Sequence, residues 1–382
     1  NMHNESFLKE VSWVNMLKLR FSVGTSGSQH FNAYQAIQTY RYFLDDKYYA
    51  WNGSSLIAMG NPDLKWQQKR DYNIGLDVKL WDNRITIGGD FYIAKTNDLI
   101  STLTLPAANG FTTYIENIGS LKNTGYELRL SAYVLRKDQM SWSVSLAGIH
   151  NKNKIVEVSQ ALLDAQNAIE SEDLVNPNVQ FRPGYSSNTI WTVRSAGIDP
   201  GTGKEVFISR DGNRTYNWSA SDIVATGVSD PKLEGNISSM FRYKGLSLNV
   251  SFGYRFGGQI YNSTLANKVE VSKTAIGWNV DARVFHDRWK NIGDQASFKG
   301  LDDFTPTNKT SRFVQDETTF RCQNMTLQYE LKSQALNKLL GIDYCLFSAS
   351  TSDLFYISTV KRERGTSYPF SRQFSLGVNV VF

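Results

Sequence analysis

The feature that most constrains this chain is a period of two, sustained over stretches of about ten residues. "LKLRFSVG" (17–24) sets Leu17, Leu19, Phe21 and Val23 on one face and Lys18, Arg20, Ser22 and Gly24 on the other. "YNIGLDVKL" (72–80) sets Tyr72, Ile74, Leu76, Val78 and Leu80 against Asn73, Gly75, Asp77 and Lys79. "GYELRLSAYV" (125–134) does the same with Tyr126, Leu128, Leu130, Ala132 and Val134 against Glu127, Arg129, Ser131 and Tyr133. The last residues, "QFSLGVNVVF" (373–382), alternate Phe374, Leu376, Val378, Val380 and Phe382 with mostly small or polar residues. Alternation of this kind is the mark of a β-strand with one apolar face.

Further runs of this type begin at "RITIGGDFYI" (84–93), "SWSVSLAGIH" (141–150), "LEGNISSMFRY" (233–243), "LSLNVSFGY" (246–254), "MTLQYEL" (325–331) and "IDYCLFS" (342–348). About ten long strands result. The stretch "SQALNKLLG" between two of them has helical character. Connections near residues 82, 137, 244 and 336 are short, whereas those at roughly 25–62, 101–117, 159–232, 259–317 and 357–369 are mostly long and polar. Strict alternation of short and long connections puts every long loop at one end. That is the plan of a transmembrane antiparallel β-barrel of the outer-membrane type, with short periplasmic turns and long extracellular loops.

A soluble β-sandwich also alternates apolar and polar residues, but its strands typically run to about five or six residues. Strands of about ten suit a tilted membrane crossing. Trp66, Trp81, Trp142, Tyr243 and Tyr254 fall near strand ends, where an interfacial aromatic girdle belongs. The mean hydropathy of −0.37 fits as well, because alternating strands dilute their own hydropathy. No apolar run is long enough for a transmembrane helix.

The polar face then has a meaning. Lys18, Arg20, Asp77, Lys79, Glu127 and Arg129 are expected to face the lumen, since charges cannot be left bare in hydrocarbon. Catalytic chemistry is not legible. His3, His30, His150 and His286 are scattered without metal-ligand spacing, and no nucleophile elbow, phosphate loop or dinucleotide fingerprint occurs. The expectation is a non-enzyme without cofactor or metal. "GTSGS" (24–28) reads as a flexible turn, "DGN" (211–213) as a hairpin turn, and Asp302 and Asp303 of "LDDF" as solvated loop charge. Asn236 and Asn324 fall in strands, so their Asn-x-Ser/Thr triplets are not glycosylation sites. Cys322 and Cys345 fall on neighbouring strands roughly six residues out of step, too far for a disulfide, and read as free thiols. The net charge of +5 is mild and no basic run occurs, so nucleic acid is not suggested. The opening "NMHNESFLKEVSWVNMLKLRF" carries no signal-peptide pattern.

The long loops are rich in aromatics: Trp191, Trp218, Trp278 and Trp289, with Tyr185, Tyr216 and Tyr261. Flat rings suit sugar faces or apolar peptide side chains. They equally suit packing of the loops into a folded cap or onto a partner, and the sequence leaves the two readings open.

Several stretches together resemble one family. They are "LKLRFSVGTSGS", "GNPDLKWQ" (60–67), "NIGSLKNTGYEL" (117–128), "AGIDPGTGKEVF" (196–207), "DPKLEGNISSMFRYKGLSLNVSFGYRFGGQIYN" (230–262), "RW" (288–289), "SDLFYIST" (352–359) and "YPFSRQFSLGVNVVF" (368–382). In this order they resemble the C-terminal barrel portion of SusC/RagA-type TonB-dependent outer-membrane transporters, along nearly the whole chain 1–382. The resemblance implies a bacterial outer-membrane barrel of 22 strands, of which about ten are here, with a plug domain outside this chain. It implies import of nutrients, oligosaccharide or peptide, beneath a SusD-like surface lipoprotein that closes as a lid. Inner-membrane TonB would act on an N-terminal segment, SusC–SusD pairs would dimerise, and lipid and lipopolysaccharide would surround the barrel. The plug and the first dozen strands are expected from an N-terminal portion of the same protein or from a separate chain. A SusC-like scaffold that assembles other outer-membrane proteins without transport is the alternative.

On this reading Phe374, Leu376, Val378, Val380 and Phe382 face lipid, and the last strand pairs with a first strand outside this sequence, because an open edge in hydrocarbon is too costly. The terminal aromatic also resembles the signal read by barrel-insertion machinery. Deletion of Phe382 is therefore expected to lower the yield of membrane-inserted barrel more than the transport rate per inserted barrel. Fractionation that finds normal barrel yield in the deletion refutes it.

Overall fold

The computed structural model describes residues 2, 5, 10–29, 34–104, 110–111, 113–170, 177, 179–271, 277, 280–363 and 372–382. Its strands in chain order begin with β1 (Val14–Ser28), the hairpin β2 (Thr39–Tyr48) and β3 (Trp51–Ala58), and β4 (Gln67–Leu80). Then come β5 (Ile85–Thr104), β6 (Thr113–Lys137) and β7 (Met140–Val158). Helix α1 (Gln160–Glu170) and the short strands β8 (Thr189–Ile198), β9 (Glu205–Ile208), β10 (Arg214–Thr215) and β11 (Ile223–Val228) follow. The chain finishes with β12 (Leu233–Tyr243), β13 (Leu246–Tyr261), β14 (Val314–Leu331), helix α2 (Gln334–Leu340), β15 (Tyr344–Ser352), β16 (Tyr356–Ser358) and β17 (Phe374–Val381).

Ten of these form one antiparallel wall in the order β1-β4-β5-β6-β7-β12-β13-β14-β15-β17, with β16 paired to β14. Short turns, one of them carrying α2, join the wall strands at one end, and at the other end the long connections carry the other remaining elements. At the turn end the rings of Trp13 and Trp81 stack at 5.8 Å. The α2 turn closes on Gly341 at φ 66, which supplies the left-handed C-cap.

Several strands run further than the alternation indicates. β5 has 20 residues and β6 has 25, so residues 101–104 and 113–117 of the expected 101–117 loop are strand. "GTSGS" is not a turn but the end of β1, where Gly24 to Ser28 pair with Asp71 to Gln67. Beyond the apolar belt nothing enforces alternation, and backbone pairing alone carries the ladder. The cysteines are free. Leu331, not Cys322, stands opposite Cys345, so the offset is nine positions rather than six.

The register resolves the wall into two chemically opposite faces. One row runs Leu17, Val78, Ile87, Leu130, Leu146, Ile237, Phe252 across seven neighbouring strands without a polar side chain. At one edge of this face Leu19 is 59% and Phe21 70% exposed, and at the other Phe374 is 70% and Leu376 88% exposed. A contiguous exposed apolar face of this extent marks an interaction with a membrane or partner. The opposite row runs Arg20, Gly75, Asp90, Glu127, Ile149, Glu234, Arg255.

On the apolar face Tyr254 locks three strands. It stands opposite Gly235, which in turn faces Gly148, and a Cβ on either glycine would come within 2.7 Å of its hydroxyl. That hydroxyl donates to the carbonyl of Ala147 at 2.9 Å. The two glycines thus leave the slot that the tyrosine fills. Tyr254→Ala is expected to cost the folded wall about 3 kcal/mol through the cavity, and Tyr254→Phe about 1 kcal/mol through the hydrogen bond. Urea unfolding in lipid vesicles checks both, and equal stability of the two variants would reject the slot as a stabilising joint.

Candidate functional site

The polar face carries an ion ladder built across four strands. Arg20 on β1 donates through Nε to Asp77 Oδ2 at 2.7 Å and approaches Asp90 Oδ1 at 3.0 Å through Nη2. Arg129 on β6 reaches the other oxygen of Asp90 at 2.8 Å, and its second nitrogen lies 3.9 Å from Glu127. Arg20 can bridge from β1 to β5 because Gly75 stands between them. A Cβ there would sit 2.6 Å from both the Arg20 guanidinium and the Asp90 carboxylate. Lys18 stands opposite Asp77, and Lys79 opposite Thr86. The arginines are well exposed, so each pair contributes on the order of 1 kcal/mol or less. A second polar patch on β12–β14 surrounds a cavity of about 490 Å³ lined by Glu234, Asn236, Arg255, Glu317, Arg321 and Gln323. Arg255 lies 3.4 Å from Glu317 there.

At the loop end, the described residues of the connections 159–232 and 262–313 form a folded cap. Strands β10-β9-β8-β11 make a small sheet, and the "DGN" turn joins β9 to β10 with Gly212 at φ 88. Trp191, Val193, Phe207 and Ile223 form its core, with Trp218 and Ala220 packed on it. Arg312 ties the two connections together. Its guanidinium donates to both oxygens of Glu205 at 2.9 and 2.8 Å, to Glu270 Oε2 at 2.8 Å, and through Nη2 to Glu270 Oε1. Burial opposes the Arg312 charge, but the two carboxylates more than offset it and raise the group above its ordinary value. Arg288, also buried, donates to the carbonyls of Lys299, Val269 and Val271. Asp199 organises the "DPGTG" turn by accepting from the Thr202 hydroxyl at 2.7 Å, the Tyr216 hydroxyl at 2.8 Å and the Gly201 amide at 3.0 Å. These bonds hold its carboxyl below the usual carboxylate range, so the turn loosens only as pH falls past that lowered value.

A two-faced antiparallel wall with long loops at one end agrees with the profile match. The TonB-dependent receptor-like β-barrel model matches residues 11–266. The chain belongs to the TonB-dependent receptor β-barrel family. Among curated relatives of the family, the receptor SusC of Bacteroides thetaiotaomicron is 27% identical over 405 residues, covering 99% of this chain and 39% of that protein. The receptor P39 of Formosa agariphila is 24% identical over 437 residues, covering 99% of this chain and 41% of that protein. The RagAB peptide transporter matches in fold with a TM-score of 0.80 at 24% identity, over 100% of this chain and 42% of that one. The same importer in its closed-closed state gives 0.81 over 99% of this chain and 42% of that one. The chain thus spans about two fifths of the length of these relatives. Like them it is an all-β outer-membrane barrel chain, and they are named as receptors and transporters rather than enzymes.

Within this family frame the aromatic candidates separate. Trp191 is buried in the cap core with Tyr185 edge-on at 4.9 Å, and Trp218 lies beneath Lys309 at 6.0 Å. Tyr261 packs on Phe313 at 5.8 Å. Tyr216 and Trp289 meet on one turn: Tyr216 bonds Asp199, and the Trp289 indole donates to the neighbouring Pro200 carbonyl at 2.8 Å. Trp278 lies outside the described residues. Sequence reading missed Asp90, the hub of the ladder. It lay in plain sight in "GGDFYI", where Gly88, Asp90 and Tyr92 share the polar phase of β5. It also missed the Glu205–Arg312–Glu270 fork, which joins residues far apart in sequence and leaves no local signal.

Glu270→Gln removes one carboxylate from this fork and leaves a buried guanidinium half-paired. The expected loss is about 3–5 kcal/mol of cap stability, seen as rapid limited proteolysis within 199–312 while the wall stays resistant. Cleavage no faster than in the parent protein would show that the fork does not hold the cap.

Proposed function

We propose that this chain is the C-terminal wall of a TonB-dependent outer-membrane nutrient importer, oligosaccharide or peptide being its cargo. The observation that carries this reading is the register. An unbroken apolar row from Leu17 to Phe252 backs a face of fixed charges centred on Asp90. Leu19, Phe21 and the row Phe374, Leu376, Val378, Val380 and Phe382 then face lipid and the lipopolysaccharide leaflet. Lys18, Arg20, Asp77, Lys79, Glu127 and Arg129 face a wet lumen. Among the described residues the wall is open at β1 and β17. In hydrocarbon both edges must be paired, which the N-terminal barrel portion would do, its plug lying against the charged face.

The cap sits at the loop end, where a SusD-like lipoprotein would close over it, and two such importer–lid pairs would form the dimer. RagAB, which shares the fold, is a peptide importer, and that name lends support to a peptide cargo without deciding against a glycan. TonB would supply the energy through the N-terminal portion.

Import is tested by growth on single oligosaccharides and peptides. Loss of this protein and loss of TonB are expected to abolish growth on the same nutrient, and Trp289→Ala in the full-length protein is expected to weaken capture or lid binding several-fold. Depletion of other outer-membrane proteins, with no TonB-dependent nutrient phenotype, would replace import by the scaffold reading.

A further inference from the structure

At the loop end of the wall, four basic residues stand directly opposite one another on four neighbouring strands. Arg70 on β4 faces Lys95 on β5, Lys95 faces Lys122 on β6, and Lys122 faces Lys154 on β7. The register carries them onto the apolar side. Val78, Ile87, Leu130 and Leu146 of the apolar row lie an even number of residues down the same strands, and no bulge intervenes. The four cations therefore point away from Asp90 and its ion ladder. Lys152, two residues below Lys154, adds a fifth to the same face. On β1 the row ends at Thr25, which stands opposite Arg70.

Like charges set directly opposite one another destabilise a sheet, and here the arrangement repeats across each strand pair. Nothing in the wall relieves it. All five side chains are exposed, and among the described residues none of them forms an ion pair or a side-chain hydrogen bond. The acids nearby are placed elsewhere. Asp71, next to Arg70, takes the opposite phase and bonds Lys69 at 2.9 Å. Glu157 stands past a bulge, opposite Ser120, and pairs with none of the five. On the polar face, by contrast, Arg20 and Arg129 are each answered by a carboxylate.

The height of the row is informative. On β4 the apolar positions of this face run from Leu80 to Tyr72. Arg70 then lies about 33 Å from Leu80 along the strand, or about 25 Å along the membrane normal at the usual tilt. That is the height of a barrel's apolar band. With Trp13 and Trp81 stacked at the turn end, the row falls at the opposite interface. Unpaired cations have no place in hydrocarbon, but they are at home among headgroups.

We propose that this row binds the phosphate of a phosphorylated lipid in the outer leaflet, seating its headgroup against β4–β7. Neighbouring strands lie about 4.8 Å apart, so one phosphate can bridge two adjacent cations through charge-assisted hydrogen bonds. Directly below stand Phe91, Tyr126 and Leu128, 47%, 50% and 50% exposed, on which the acyl chains of the same lipid would lie. Charge and apolar surface in one continuous strip fit an amphipathic anion better than a soluble one or an acidic protein loop. The inference rests on the lipid-facing assignment of the apolar row and not on import.

The test titrates the full-length protein, in nonionic detergent, with lipid A carrying its phosphate and with the same lipid A dephosphorylated. Bound lipid is counted by native mass spectrometry. The phosphorylated form is expected to bind about tenfold tighter or more, and each single Arg70→Gln, Lys95→Gln, Lys122→Gln or Lys154→Gln to weaken it about fivefold. The fourfold variant is expected to lose the preference. Lys69→Gln, on the opposite phase of β4, is expected to leave it unchanged. Because the row repels itself, the fourfold variant is expected to match or exceed the parent's Tm without lipid, while phosphorylated lipid raises the Tm of the parent alone. Equal binding of the two lipids overturns the row, as does a preference intact in the fourfold variant or lost in Lys69→Gln. Displacement of the lipid by millimolar inorganic phosphate, or loss of an acidic protein rather than lipid from the fourfold variant, also overturns it. A nitroxide on Leu128→Cys, made with Cys345→Ser, separates the two readings. Broadening by oxygen without lipid preference overturns the row alone, whereas broadening by an aqueous nickel chelate overturns the lipid-facing assignment with it.

Discussion

The structure depends on a constraint of solvent: in hydrocarbon every backbone N–H and C=O must find a partner within the protein. An antiparallel wall meets that demand strand by strand, and its register then decides everything else. Once Leu17 is opposite Val78, a shift of a single residue would exchange the two faces across the sheet. The unbroken apolar row and the charge ladder are therefore one fact seen from two sides. Neither could be altered without moving the other.

Close packing within the wall follows from the same register. Where a large side chain must cross a neighbouring strand, a glycine stands in its way. Gly75 opens a passage for Arg20 toward Asp90 on the polar face, and Gly148 and Gly235 open one for Tyr254 on the apolar face. The two devices differ in what they stabilise. The tyrosine fills space and satisfies a carbonyl, so its loss leaves a cavity. The arginine remains partly wet, and its pairing organises charge more than it adds stability.

The wall was legible from sequence because its solvent imposes a period that composition records directly. The ten strands, the short turns at 82, 137 and 244 and the α2 turn all lie where alternation or turn chemistry indicates. Legibility fails where lipid stops. "GTSGS" and the described residues 101–104 and 113–117 leave the apolar belt and lose their pattern, yet the ladder continues through them on backbone bonds alone. In the cap the loss is complete, since contacts such as Glu205 to Arg312 span 107 residues. Of the aromatic candidates, sequence could say that Trp191 and Trp289 sit in loops. It could not say that one is a core residue and the other is pinned beside a cavity.

That difference has a physical origin. Through the Arg312–Glu205 bonds the cap joins the connection after β7 to the connection after β13, so it bridges nearby segments of the barrel mouth. It holds buried charges, which are costly unless paired in one geometry. Glu205, Glu270 and Arg312 meet that condition together, and their geometry fixes where the two loops lie. The turn at Asp199 leads directly into Glu205 and also carries the Pro200 carbonyl that anchors Trp289. The ion fork and the indole are thus held by one continuous piece of backbone. A wall dictated by lipid is generic, whereas a cap fixed by buried ion pairs can present one indole in one orientation.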